Sequence, residues 1–366
     1  ALAEVDAALA EARTADYPPV VVEAALLKGR IAINLYDVVG ATAPLVEAQA
    51  LALEHGMLAE AVVAGARRIA FDAVEDRDLP GLLRQVELLD PLSRGLRGDR
   101  FARPLLLNNI VMLHLARGHL DEARTASTAA LASIDPAGPL DLELNAIRVN
   151  GAMLVEDPAA RAPLFTAAIA VFDDALGPHH PTTLTARSIE AYHTADLAAA
   201  RAVRAQVCAA VTTFTPTLVA ERVRCLRHLA FLDEELGDNA AAQQSYAAIV
   251  AQAAAAPASQ ATVIELARGK LADHAGDRAG ALAHYLAALT AARALGTAWW
   301  QRAPAAQAGL ALAIAQRAAG RHADATATLA GVVDDLDVVT AASRVVEYQR
   351  ERDQADALRA AWSAHK

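Results

Sequence analysis

Residues His274–Leu289 read HAGDRAGALAHYLAAL, and residues Glu235–Ile249 read ELGDNAAAQQSYAAI. Each runs from the apolar end of one segment through Gly-Asp into the next, with Ala five residues after the Gly: Gly276 with Ala281, Gly237 with Ala242. Gly at that point suits a helix C′ position, where φ must be positive. The Asp that follows suits an N-cap. Leu115–Leu131, LARGHLDEARTASTAAL, repeats the pattern with Gly118 and Ala123, and Ala318–Val333, AAGRHADATATLAGVV, repeats it with Gly320 and Ala325. Weaker copies are Tyr36 with Ala41, Arg77 with Leu82, Glu156 with Arg161 and Ala195 with Ala200. The gaps between the eight anchors are 41, 41, 38, 39, 42, 39 and 44, an average of about 40.6 residues. Such even spacing over the whole chain argues for a repeat architecture.

Each repeat reads as a helix, a tight turn, a second helix and a short loop, with prolines such as Pro18-Pro19, Pro136, Pro178, Pro181, Pro216 and Pro257 punctuating the loops. Seven residues before the anchor stands a small residue: Gly29, Ala70, Ser188, Ala230, Gly269, Ala313. Val111 and Val149 break the rule. Small residues there, with the Ala after the anchor, let the two helices of a pair approach closely. Bulky residues nine after the anchor, such as Tyr246, Tyr285 and, less regularly, Phe165, fill the space beside them.

Composition agrees. Of 366 residues, 55% are hydrophobic but only 4% aromatic. Alanine in such excess favours helices and thin stacked layers over one large core. The expected class is all-α, a right-handed α-solenoid of about eight antiparallel helix pairs forming a single domain over 1–366. Residues 1–17 are expected as a truncated first pair, 18–336 as the repeats and 337–366 as terminal capping helices. The chain neither opens with Met nor carries a signal peptide, so it is expected to be a segment of a longer polypeptide.

A net charge of −10 argues against a nucleic-acid partner. The apolar runs are too interrupted for direct membrane insertion. A soluble segment, in the cytoplasm, is expected, whether or not the full-length protein is anchored to a membrane. Cys208 and Cys225 lie 17 apart on neighbouring helices, within reach of contact, and are expected as two buried thiols. No P-loop, dinucleotide fingerprint, HExxH or GxSxG occurs, so neither catalysis nor a cofactor is expected. His179-His180 lacks companion ligands and is expected as a structural or solvated pair. His114 and His119 are expected on different surfaces. Asp173-Asp174 and Asp334-Asp335 are expected to be solvated, and Arg97-Gly98-Asp99 reads as a charged turn.

The small–Gly–Ala framework resembles the tetratricopeptide repeat. Its period is nearer that of the kinesin-light-chain variety, which Leu105–Ala123 with Asn108-Asn109 and Ala175–Ala186, ALGPHHPTTLTA, also resemble. Ala8–Leu35, ALAEARTADYPPVVVEAALLKGRIAINL, resembles the repeat arm of large myxobacterial-type serine/threonine kinases. That implies a sensor or docking arm, here without any kinase motif.

The resemblance places a groove at ten, six and three residues before each anchor. These offsets give the basic residues Arg30, Arg67, Arg227, Lys270 and Arg317, the amides Asn108 and Asn150, and the anchors Phe71, Met112, Tyr192 and Phe231. Basic and amide groups beside apolar anchors suit a protein or peptide segment with acidic residues. A small-molecule-sensing regulatory domain of a signalling ATPase or transcriptional regulator is the alternative. Trp299-Trp300 is expected to split, one ring inward and the other available to a partner or a second copy of the chain.

Overall fold

The structure, a computed structural model, describes residues 2–34, 37–74, 79–135, 141–214 and 219–363. The anchors Tyr36 and Arg77, the prolines Pro136 and Pro216 and the side chain of Phe71 lie outside the described residues. The described residues form helices and no strand. In chain order they are α1 (Leu2–Thr14), α2 (Pro18–Asn34), α3 (Val38–Glu54), α4 (Leu58–Val74), α5 (Leu79–Gly95), α6 (Ala102–Ala116), α7 (Leu120–Ser133), α8 (Leu142–Met153) and α9 (Pro158–Leu176). There follow α10 (Pro181–His193), α11 (Leu197–Phe214), α12 (Val219–Glu235), α13 (Asn239–Ala251), α14 (Ala261–His274), α15 (Arg278–Arg293), α16 (Trp299–Ala318), α17 (His322–Ala342) and α18 (Val346–Ser363). Two compact units divide the chain, Ala1–Leu154 and Val155–Lys366.

Every anchor among the described residues falls between two helices. Gly118, Gly237, Gly276 and Gly320 have φ of +72°, +79°, +77° and +76°. The residue after each donates its N–H five residues back: His119 to His114, Asp238 to Asp233, Asp277 to Ala272, Arg321 to Gln316, all at 2.8–2.9 Å. This is the 6→1 bond of a Schellman turn, which satisfies carbonyls a helix end would leave bare. After Gly237 and Gly276 the next helix starts on an Asp cap: Asp238 accepts from Ala241 N at 3.0 Å and Asp277 from Gly280 N at 2.9 Å. Asp157 and Asp196 cap α9 and α11 in the same register after weaker anchors.

Small and large residues meet across the pair at a separation of 16. A Cβ on Gly29 would lie 2.6 Å from Leu45, and one on Gly269 would lie 2.4 Å from the ring of Tyr285. Neither could be larger without moving its neighbour. In the third pair the sizes are exchanged, Val111 on α6 and Ser127 on α7, both buried.

In the first unit α2 and α3, α4 and α5, and α6 and α7 pair in sequence, with α1 packed on α2 and α8 closing the series. Its core gathers Val62, Ile69, Leu89, Leu106 and Leu113. In the second unit α9 packs on α10, and the pairs are α10 with α11, α12 with α13, α14 with α15 and α16 with α17, with α18 on α17. The core there is a row of smaller clusters, one centred on Tyr246 and Ile249 and another on Tyr285 and Leu289. In both units the first helices of successive pairs lie side by side, as α4 with α6 and α14 with α16 do.

Several sequence expectations are corrected. Cys208 and Cys225 are not free thiols: they form a disulfide between α11 and α12, with Cα atoms 5.5 Å apart. His114 and His119 do not point apart, because the Schellman turn folds their rings to a stacked 6.2 Å. Asp173 and Asp335 are not simply solvated, since Arg187 reaches Asp173 at 2.7 Å and Arg302 reaches Asp335 at 3.3 Å. Trp299 and Trp300 are both half-buried and meet edge to face at 6.0 Å, rather than dividing into one inward and one outward ring.

Candidate binding groove

Within each unit several residues at the groove offsets lie close together, and most of their charges are engaged by the chain's own carboxylates. In the first unit, Arg67 Nη2 lies 2.7 Å from Glu143 Oε1, and Arg30 Nη1 lies 3.8 Å from the other oxygen of that carboxylate. Burial lowers the pKa of Arg67, Glu143 opposes that, and Arg30 adds to it. Arg30 itself remains half-exposed. Asn150 Nδ2 donates to Asn108 Oδ1 at 3.0 Å, and Asn108 Nδ2 donates to Asn109 Oδ1 at 3.1 Å. The two amides expected to hold a peptide backbone hold one another instead. Met112 lies half-buried on the same helix as Asn108.

In the second unit the offsets gather around one cleft of about 280 Å³. Arg227, Phe231 and Glu234 of α12, Leu266 and Lys270 of α14, and Leu310 and Ile314 of α16 line it. Its floor includes Tyr246, and its rim is completed by α18 through Glu347, Glu351 and Gln354. Arg227 grips Glu347 with both terminal nitrogens, one contact being Nη2 to Oε2 at 3.0 Å. Gln307 Nε2 donates to the same carboxylate at 2.8 Å. Lys270 Nζ donates to both oxygens of Glu234, at 2.9 and 2.8 Å. Burial lowers the pKa of Arg227, but Glu347, with Tyr192 and Tyr348, raises it, and the guanidinium ends well above its ordinary value. The basic face expected here is therefore a set of ion pairs: Arg227 is met by Glu347 of α18 and Lys270 by Glu234 of α12.

Beside the cleft, Tyr192 is sandwiched. The ring of His228 stacks on it at 4.1 Å, and the Arg204 guanidinium lies 4.3 Å from its centroid. Arg204 also donates to Ser188, through the side-chain oxygen and, at 2.8 Å, the carbonyl. Arg317, the last basic offset residue, lies 5.3 Å from the ring of Trp362 on α18 and faces it rather than the cleft.

Sequence reasoning missed the α18 residues. Glu347, Glu351 and Ala355 are buried at a spacing of four, so they form one stripe on α18. That spacing was visible, but a stripe of two carboxylates and an alanine reads as a solvated face until Arg227 is seen opposite. His179 and His180 form no metal site: His180 Nδ1 accepts from Thr182 N at 3.2 Å and caps α10. Among the described residues no group of three or more His, Cys, Asp or Glu could hold a metal ion, and no helix is long and apolar enough to cross a membrane.

No family model matches the sequence, and no curated protein matches it. Solved structures do share its fold. A Rap protein complexed with Competence and Sporulation Factor superposes with a TM-score of 0.57 at 12% identity, covering 93% of this chain and 99% of that one. The apo form of RapI gives 0.56 at 12% identity, covering 92% and 97%. A Pyrococcus horikoshii signal-transduction ATPase with a tetratricopeptide repeat sensor gives 0.49 at 11% identity, covering 88% of this chain and 53% of that one. The chain is an all-α array of tetratricopeptide-like helix pairs.

Proposed function

We propose that this chain is a non-catalytic docking scaffold that holds a protein or peptide segment along the face made by the first helices of its pairs. The observation that carries this reading is the convergence of seven offset residues from three consecutive pairs on the cleft of the second unit. Phe231 and Ile314 supply an apolar wall there, with Ile314 38% exposed. A Rap protein of the same fold is complexed with Competence and Sporulation Factor, which fits a holding role. On the resemblance of Ala8–Leu35, the scaffold serves as the sensor or docking arm of a serine/threonine kinase. A small-molecule sensor is the second reading, and the cleft volume weighs against it: about 280 Å³ falls just below the roughly 300–1,000 Å³ usual for ligand pockets. It suits one long side chain of a larger partner better.

The test is selection of a displayed random-peptide library on the intact chain, followed by affinity measurement on a Phe231→Ala, Ile314→Ala double variant. Losing two apolar anchors should weaken the selected peptides by about tenfold or more, with helicity unchanged. Peptides that bind both proteins equally, or no enrichment at all, would remove the cleft from the docking surface.

A further inference from the structure

The charges around the cleft can be matched one against another. Arg227 is taken by Glu347, Lys270 by Glu234, and Arg350 by Glu235 at 2.8 Å. One carboxylate is left over. Glu351 sits one turn beyond Glu347 on α18, only 9% exposed, and lines the cleft. Its Oε2 is covered and has no hydrogen-bond partner among the described residues. An acceptor in that condition is costly unless something donates to it. The same cleft is lined by the apolar side chains of Leu266, Leu310 and Ile314, which suit the methylene stem of a long side chain.

We infer that the cleft of the second unit receives the cationic end of a Lys-type side chain, its stem on the apolar wall and its ammonium on the Glu351 carboxylate. This rests on the docking reading above and names the group that docks. It reverses the sign expected from the sequence, where Arg227 and Lys270 pointed to an acidic segment. Those two cations are each held by a carboxylate of their own chain, whereas Glu351 has no cation of its own.

The groups that face Glu351 decide what the arrival of a cation does. Burial first, and then Glu347, raise its pKa well above the ordinary carboxylate value, while Arg227, Gln307 and Lys270 pull it down. Tyr246 from α13 and Tyr348 on α18 are pushed up by burial and stay neutral. Glu351 therefore holds a proton to higher pH than an ordinary carboxyl does. An arriving ammonium favours the carboxylate, so a proton held by the carboxyl leaves to the buffer as the cation enters.

The experiment is calorimetry on the full chain at neutral pH with N-acetyl-lysine methylamide, at up to tens of millimolar, in two buffers of different ionisation enthalpy. The expected result is a binding heat for the lysine probe, with a difference between the buffers in the direction of proton release. N-acetyl-norleucine methylamide, with the stem but no charge, should not bind. Glu351→Gln, which keeps size and helicity, should abolish the buffer dependence and weaken the lysine probe about tenfold or more. The inference is overturned if the lysine probe gives no heat, if the norleucine probe binds as well as lysine, or if Glu351→Gln binds lysine unchanged. Its failure is separate from that of the docking reading. Selected peptides that need Phe231 but show no preference for Lys would sink the cation site alone. Lysine binding without any peptide docking would sink the scaffold and leave the cation site standing.

Discussion

Arg204 takes the packing position that Tyr246 and Tyr285 hold in later pairs, nine residues after the anchor, and it is just as buried. It tolerates that place because Ser188, sixteen residues back, supplies two acceptors and Tyr192 supplies a ring face. Arg161 likewise replaces the framework Ala, and its Nη2 donates to the His193 carbonyl at 2.9 Å. The spacing put Arg161 at the framework position, but the burial of Arg204 was not legible in the sequence, because an Arg in an amphipathic pattern reads as surface. The Gly and Ala positions were legible, since only small residues survive where a Cβ would strike Leu45 or Tyr285. Two buried Arg next to an imidazole have a consequence at low pH. His228 is 2% exposed, and burial first, then Arg204 and Arg227, hold its pKa far below the ordinary range. The folded protein keeps it neutral while the unfolded chain protonates it near pH 6.5, so stability falls as pH drops below that value. His228→Phe keeps the stack on Tyr192 and removes the proton. Thermal denaturation at pH 6.5 and pH 5 should show a loss smaller by about 1.5 kcal/mol in the variant than in the parent. Equal losses would mean that His228 is protonated in the fold.

At the scale of elements, the helices were readable and their partners were not. Caps and Schellman turns are local, so Gly237-Asp238 and Gly276-Asp277 announce them within a few residues. The ion pair of Arg227 with Glu347 spans 120 residues, and no local pattern carries it. α18 therefore read as a polar terminal cap, although its first half closes the cleft. The link between α11 and α12 is similar: two Cys 17 apart were seen, but the bond depends on which faces of the two helices meet. That bond has a measurable weight. Constraining a loop of this length is worth about 3 kcal/mol in the chain-entropy model. Reductant should lower the urea midpoint of the parent and leave Cys208→Ser unmoved. A parent midpoint insensitive to reductant would show that the bond does not hold these helices.

Over the whole molecule, what the sequence exposed was periodicity. An even spacing of about 40 residues survives large local variation, because each turn must recur once per pair for the next pair to stack. The division at Leu154 was not legible, since the fourth anchor, Glu156, continues the spacing across it. In an array each pair leans mainly on its neighbours, so damage should stay local. Gly269→Ala tests this. Its Cβ would lie 2.4 and 2.5 Å from two ring carbons of Tyr285. Overpacking costs about 1–3 kcal/mol, and the helix gain of Ala over Gly returns about 1, leaving a net loss on the order of 1 kcal/mol. Hydrogen exchange should then quicken in α14 and α15 and, less, in α13 and α16, while α2 to α6 keep parental rates. An equal rise in every helix would mean that the chain unfolds as one cooperative body, and that the forty-residue period marks a sequence repeat without an energetic one.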